Sequence, residues 1–130
     1  MRALELSVLP EELAITRLSP SSPIPSWALA GAFQSVTRTD DELSIVCASG
    51  AVPENAASER GWRALRVAGP LEFSLTGILA SLAGPLADEG ISVFALSTYE
   101  TDYLLVEERN LQRAADALRR AGHRVKAPGG

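Results

Sequence analysis

From residue 62 onward the apolar positions change period repeatedly, and each change marks an element. Leu65 and Val67 share one face of a strand over Trp62 to Val67, with Arg63 breaking that face at its start and Gly69-Pro70 ending the run. From Ser74 the spacing becomes helical. Leu75, Ile78, Leu79, Leu82 and Leu86 recur at i, i+3, i+4, i+7 and i+11, with Ser74 or Thr76 as the cap and Gly90 as a left-handed stop. Pro85 interrupts this helix, removing one backbone bond and bending or tightening its last turn. Ile91 to Thr98 reads as a β-branched and aromatic strand. The short link Tyr99-Glu100-Thr101 then turns into a second strand over Asp102 to Val106. Leu111, Ala114, Ala115 and Leu118 make another helical stripe, closed by Gly122, and His123 to Lys126 is a last short strand. The order is β-α-β-β-α-β, the split arrangement of ferredoxin-like domains.

The first half reads as a worn copy of the second. Asp41 to Val46 matches Thr101 to Val106 at a shift of 60, and Gly61-Trp62-Arg63 matches Gly122-His123-Arg124 at a shift of 61. Such a common offset points to internal duplication. Between Ala14 and Gly31 stand Pro20, Pro23 and Pro25, which forbid one long helix, so Trp27 to Ala30 is expected as a single helical turn. Leu13 to Leu18 is expected to pair back with Leu4 to Val8. A hairpin joins Phe33 to Thr37 with Glu42 to Ala48, and a short helix covers Ala56 to Gly61. The expected domains are residues 1–61, a degenerate unit, and residues 62–130, a complete one. The fold class is α+β.

Composition narrows the function. At 46% apolar the chain can bury a core, and a net charge of −4, with basic residues scattered among acids, argues against nucleic acid. No apolar run approaches the ~20 residues that span a bilayer, so membrane partners are not expected. One cysteine and no secretory pattern at the N-terminus read as cytoplasmic.

Gly69-Pro70-Leu71-Glu72-Phe73-Ser74-Leu75-Thr76-Gly77-Ile78-Leu79, followed by Gly90 to Val106, resembles the ACT domain family. The nearest group is similar to small bacterial tandem-ACT proteins and to the aspartokinase-like ACT domains of cytosolic arginine sensors. Trp27-Ala28-Leu29 and Ser35 to Thr39 extend the likeness into the first half. The resemblance implies a ferredoxin-like fold that binds amino acids at interfaces between ACT units, and a homodimer. Carried residue by residue, it implies ligand contacts at Thr76, Gly77 and Ile78 at the helix start, and at Thr98 and Asp102 across from them. Where some arginine-sensing relatives carry an acidic residue before the glycine segment, this chain has Leu75.

The chemistry of those positions suits a free amino acid. Unpaired first-turn amides and the helix dipole favour its carboxylate, and Gly77 permits close approach to the backbone. Asp102 can take the ammonium, with Ser97 and Thr98 as further acceptors. Each residue also has a structural reading: Gly77 as a packing glycine, Asp102 as a brace for the turn before it. Nothing in the sequence points to catalysis. Cys47 lies in an apolar strand and reads as packing, and His123 is expected at the surface or a strand edge. No phosphate-binding loop, nucleophile elbow or zinc spacing is present, and no cofactor is expected. The acidic pairs Glu11-Glu12, Asp40-Asp41, Asp88-Glu89 and Glu107-Glu108 fall at turns and helix ends, as solvated punctuation. Trp27 and Trp62 are expected as packing anchors. The function expected is a regulatory, amino-acid-binding protein without catalytic activity. The alternative is an assembly module that dimerises without a ligand.

Overall fold

The computed structural model describes residues 3–69 and 77–127. Ser74, Leu75 and Thr76, expected as caps or as part of the first helical stripe, lie outside the described residues. The elements are β1 (Glu5–Val8), β2 (Leu13–Leu18), β3 (Ser35–Arg38), β4 (Leu43–Ala48), β5 (Ser58–Val67), α1 (Ile78–Asp88), β6 (Phe94–Ser97), β7 (Asp102–Glu107), α2 (Leu111–Arg120) and β8 (Arg124–Lys126). The fold is α+β and ferredoxin-like. The chain divides into two compact units, one of Met1–Pro10 with Arg63–Gly130 and the other of Glu11–Trp62. That division departs from the expected 1–61 and 62–130 at the N-terminus. The reason is backbone pairing. β1 does not pair with β2; it runs antiparallel to β5 (Leu6 opposite Val67) and parallel to β8 (Leu6 opposite Val125).

In the larger unit the strands lie in the order β6-β7-β5-β1-β8. A ferredoxin-like sheet built from 63–130 alone would set its fourth strand beside its first, and here β1 stands between them. Leu82 and Leu86 of α1 and the Ala114, Ala115, Ala117, Leu118 stripe of α2 pack on Leu6, Leu65, Val67, Leu104, Val106 and Val125. Both helices therefore bury the face that their period predicts. Leu79 is the exception and remains exposed. Arg63, the polar break at the start of its strand, donates to the Leu9 carbonyl (2.9 Å) and pairs with Glu108 (3.2 Å). α1 runs through Pro85 to Asp88.

In the smaller unit the order is β3-β4-β2-β5, the ferredoxin-like order with both helices worn away. The proline-rich segment leaves only a 3-10 turn, Ser26–Leu29, whose Ala28 is buried beside Leu43, Ile45 and Cys47, with Trp27 packed against them. A second 3-10 turn, Ser49–Ala51, stands where the other helix would be. Arg60 compensates there, donating to the carbonyls of Ser49 (2.8 Å), Val52 (3.0 Å) and Pro53 (2.9 Å). The helix expected over 56–61 is absent because β5 already begins at Ser58, whose hydroxyl meets that of Thr16 (2.9 Å). The register with β2 slips between Leu13 and Ile15, and Gly61, on the β5 side of the slip, has φ of 79°. A strand bulge of this kind uses glycine for its left-handed residue. Glu11 is not solvated punctuation either: its carboxylate accepts the amides of Ala32 (3.1 Å) and Phe33 (3.4 Å).

The two hairpins share one register. Val36 faces Ile45 and Ala95 faces Leu104. β3 and β6, β4 and β7, and the 3-10 turns Ser49–Ala51 and Glu108–Asn110 are each 59 positions apart, one fewer than the sequence match at 41–46 suggests.

Candidate functional site

Strand direction gathers the candidate residues at one end of the larger unit. β5 ends at Val67, where the Ala68 amide donates to the Glu5 carbonyl (2.7 Å), so β1 begins there, and β8 begins beside it with Glu5 opposite Arg124. The Thr101 hydroxyl donates to the Val67 carbonyl (2.6 Å), which brings the β6–β7 turn to the same end. Thr101 is buried although it sits in a tight turn.

Thr98 and Asp102 both belong to that turn. The Thr98 amide (2.9 Å) and hydroxyl (3.1 Å) donate to the Thr101 carbonyl. Asp102 lies opposite Ser97, whose hydroxyl donates to its Oδ1 at 2.7 Å. Asp102 therefore braces the hairpin with one oxygen, while Oδ2 accepts no hydrogen bond among the described residues. Ser97 is the partner that fixes the carboxylate, and its position five residues away across a two-strand turn was the available signal for it.

Gly77 and Ile78 start α1. Gly77 has φ of 77° and ψ of 0°, a left-handed backbone that suits glycine, and its carbonyl accepts the Ser81 amide (2.9 Å). Gly77 is exposed, Ile78 is half-buried against the core, and a Cβ at 77 would meet none of the described residues within 4 Å. The backbone angle at Gly77 is itself a reason for glycine, with no packing against the described residues. Among the described residues the amides of Ile78, Leu79 and Ala80 find no acceptor, as a helix start without a side-chain cap leaves them. Thr76 lies outside the described residues.

α1 is anchored to this end through His123, which is buried at 4% exposure and is not at the surface. Its Nδ1 accepts the Leu4 amide at 3.0 Å, and its Nε2 lies 3.3 Å from the Ser81 carbonyl in the first turn of α1. The helix start and the turn of Thr98 and Asp102 therefore belong to one end of one sheet, although no hydrogen bond joins the two groups among the described residues. An open depression of about 220 Å3, lined by Ala3, Leu4, Glu5 and Arg124, lies at the same end. Glu5 there pairs with Lys126, which holds its carboxyl below the usual carboxylate range.

Cys47 is buried, and burial first, then the negative charge of Glu11, pushes its thiol up. No group of His, Cys, Asp and Glu that could hold a metal occurs among the described residues. No described helix is long and apolar enough to cross a membrane.

The ferredoxin-like sheet is the fold class, and comparison with known proteins narrows it. Residues 57–120 match the model of the ACT domain family, which places this part of the chain in it. A second family model, described as an N-terminal domain, matches residues 11–55. A crystal structure of an Agobacterium tumefaciens protein is similar across 100% of this chain and 97% of that one, at 41% identity and a TM-score of 0.94. The cytosolic arginine sensor for mTORC1 subunit 1 of Rattus norvegicus is 42% identical over 60 residues, 45% of this chain and 18% of the sensor. The regulatory subunit of aspartate kinase from Thermus thermophilus shares the fold, with 86% of this chain and 93% of that one covered at a TM-score of 0.60 and 12% identity. The chain spans between 18% and 56% of the lengths of the curated relatives it matches.

Proposed function

We propose that this protein is a regulatory domain that binds a free amino acid at the start of α1 and has no catalytic activity of its own. The observation that carries the reading is the pairing of a helix start at Gly77 and Ile78, with no side-chain cap among the described residues, and an Asp102 whose Oδ2 accepts no bond among them, at the same end of the sheet. A helix N-terminus carries about +0.5 of a charge, and its free amides suit a carboxylate. The open oxygen of Asp102 suits the ammonium, with the Thr98 backbone beside it. Thr76, next to Gly77 in sequence, belongs to the same proposed site. The name of one relative supports the ligand class, since it is an arginine sensor.

Asp102→Asn tests this reading because asparagine keeps an acceptor for Ser97 while removing the charge. Asp102 is only half-buried, so the low end of the usual penalty for an unpaired ammonium applies, about 2 kcal/mol, or at least tenfold in affinity. Calorimetric titration should read that loss, with circular dichroism unchanged. Equal affinity would remove Asp102 from the site.

Self-association belongs to the same proposal. Leu79 and Tyr99, 40% and 81% exposed, stand on the helix start and on the β6–β7 turn, and favour a contact with a second copy at this end. Equilibrium sedimentation at high micromolar concentration should give a dimer mass. A dimer that forms while no amino acid binds would favour the assembly function instead.

A further inference from the structure

A regular helix closes each carbonyl with the amide four residues on. For Ser81 that position is Pro85, which has no N–H, and a proline ring also crowds the carbonyl four residues before it. α1 therefore leaves the Ser81 carbonyl without its intrahelical donor, one turn after the helix start. The imidazole of His123 stands in that place, with Nε2 at 3.3 Å. The other ring nitrogen settles the proton. A backbone amide only donates, so Nδ1, 3.0 Å from the Leu4 amide, is the acceptor, and the hydrogen sits on Nε2, aimed at Ser81. The ring itself is carried by a fixed backbone, since the His123 amide donates to the Leu118 carbonyl at the end of α2 (3.0 Å).

We infer that His123 is a positioning residue for the ligand site, supplying the hydrogen bond that Pro85 removes and so holding the first turn of α1 on the sheet end that carries Asp102. The inference rests on the amino-acid reading of that site. The mechanical link is short. The Ser81 amide closes the first helical bond onto the Gly77 carbonyl (2.9 Å), so a hold on the Ser81 carbonyl, one Cα away, restrains the turn that carries Gly77 and the amides after it. The neutral ring also ties the helix to Leu4, the residue that leads into β1. Nothing charged competes for it: Glu5 on β1 pairs with Lys126 of β8, Asp116 of α2 pairs with Arg119, and Arg120 pairs with Glu89. Asp88, the titratable residue of α1, lies two turns further on, and Arg124 of β8 makes no hydrogen bond or ion pair with the ring.

The test is a double-mutant cycle on the full chain. Wild type, His123→Phe, Pro85→Ala and the double variant are titrated calorimetrically with each of the twenty free L-amino acids, and their melting temperatures are recorded. His123→Phe should weaken binding at least tenfold when Pro85 is present. In the Pro85→Ala background the new amide at 85 takes the Ser81 carbonyl, and the same substitution should cost at least threefold less affinity. Coupling of that kind is not expected of a histidine that only fills space. Should His123→Phe not fold, His123→Asn keeps the acceptor for Leu4 without reaching Ser81, and is read in both backgrounds by the same criteria. Equal loss with and without Pro85, or no loss at all, overturns the inference alone. Wild type that binds none of the twenty overturns the amino-acid reading, and this inference with it.

Discussion

A side chain at position 77 would have to take a left-handed backbone with φ near 77°, although no described neighbour stands within 4 Å of its Cβ. Gly77→Ala should therefore cost about 1 kcal/mol through the backbone alone, read as a lowered urea midpoint with an unchanged slope. A much larger loss would mean that Gly77 is packed against something. At Cys47 the raised thiol gives a signed pH dependence. The protonated thiol is the neutral form, so the stability it contributes is fully present below its ordinary value of 9.0 and is lost as pH rises from there toward the folded value. Cys47→Ala should flatten stability against pH above about 9, and wild-type Cys47 should react with iodoacetamide only on unfolding. Glu5 works in the other direction. Lys126 lowers it, so its contribution is present above 4.5 and disappears as pH falls through the folded value; Glu5→Gln should remove part of the acid sensitivity.

Among the elements, those with a clean period were legible and those without were not. The Leu82, Leu86 and Leu118 positions follow a helical spacing that burial explains, and truncating Leu118 to alanine should cost about 3 kcal/mol in chemical denaturation. The stretch 56–61 has no such period, and its fate was set by tertiary features: a bulge at Gly61 and the three carbonyl bonds of Arg60. Removing those bonds by Arg60→Ala should lower stability by about 1–2 kcal/mol, because the side chain is partly solvated. His123 was misread for a similar reason. A lone histidine after a helix stop gives no hint of burial, yet a proline four residues after Ser81 does announce a carbonyl in need of a donor. Within the candidate site, Gly77, Ile78, Thr98 and Asp102 are proposed from resemblance and Ser97 as a further acceptor, whereas the bond from Ser97 to Asp102 and the burial of Thr101 emerge only once the hairpin register is known.

For the whole molecule, pairing of β1 with both β5 and β8 carries a consequence for the division of the chain. Strand order cannot be read from hydrophobic period, because Leu4, Leu6 and Val8 fit either neighbour equally well; this is why the first strand was assigned to the wrong half. A chain of residues 63–130 alone exposes the edges that β1 occupies, and should lack the dispersed amide spectrum of a folded domain unless a peptide of residues 1–10 is added. The constant spacing of 59 between the two hairpins is what an internal duplication would leave. Duplication predicts that 35–51 superposes on 94–110 as one rigid segment, and divergent hairpin twist would count against it.

The central claim, an amino acid held at the start of α1, is tested most directly by a ¹H–¹⁵N spectrum of the full chain titrated with the amino acid that raises its melting temperature most. At 100 times its dissociation constant such a ligand stabilises the fold by about 2.7 kcal/mol, so the choice of titrant is unambiguous. The amides of Gly77, Ile78, Thr98 and Asp102 should shift most, with Ser81 and His123 following and Cys47 unmoved. Perturbations confined to the smaller unit, or no perturbation by any of the twenty, would contradict the account.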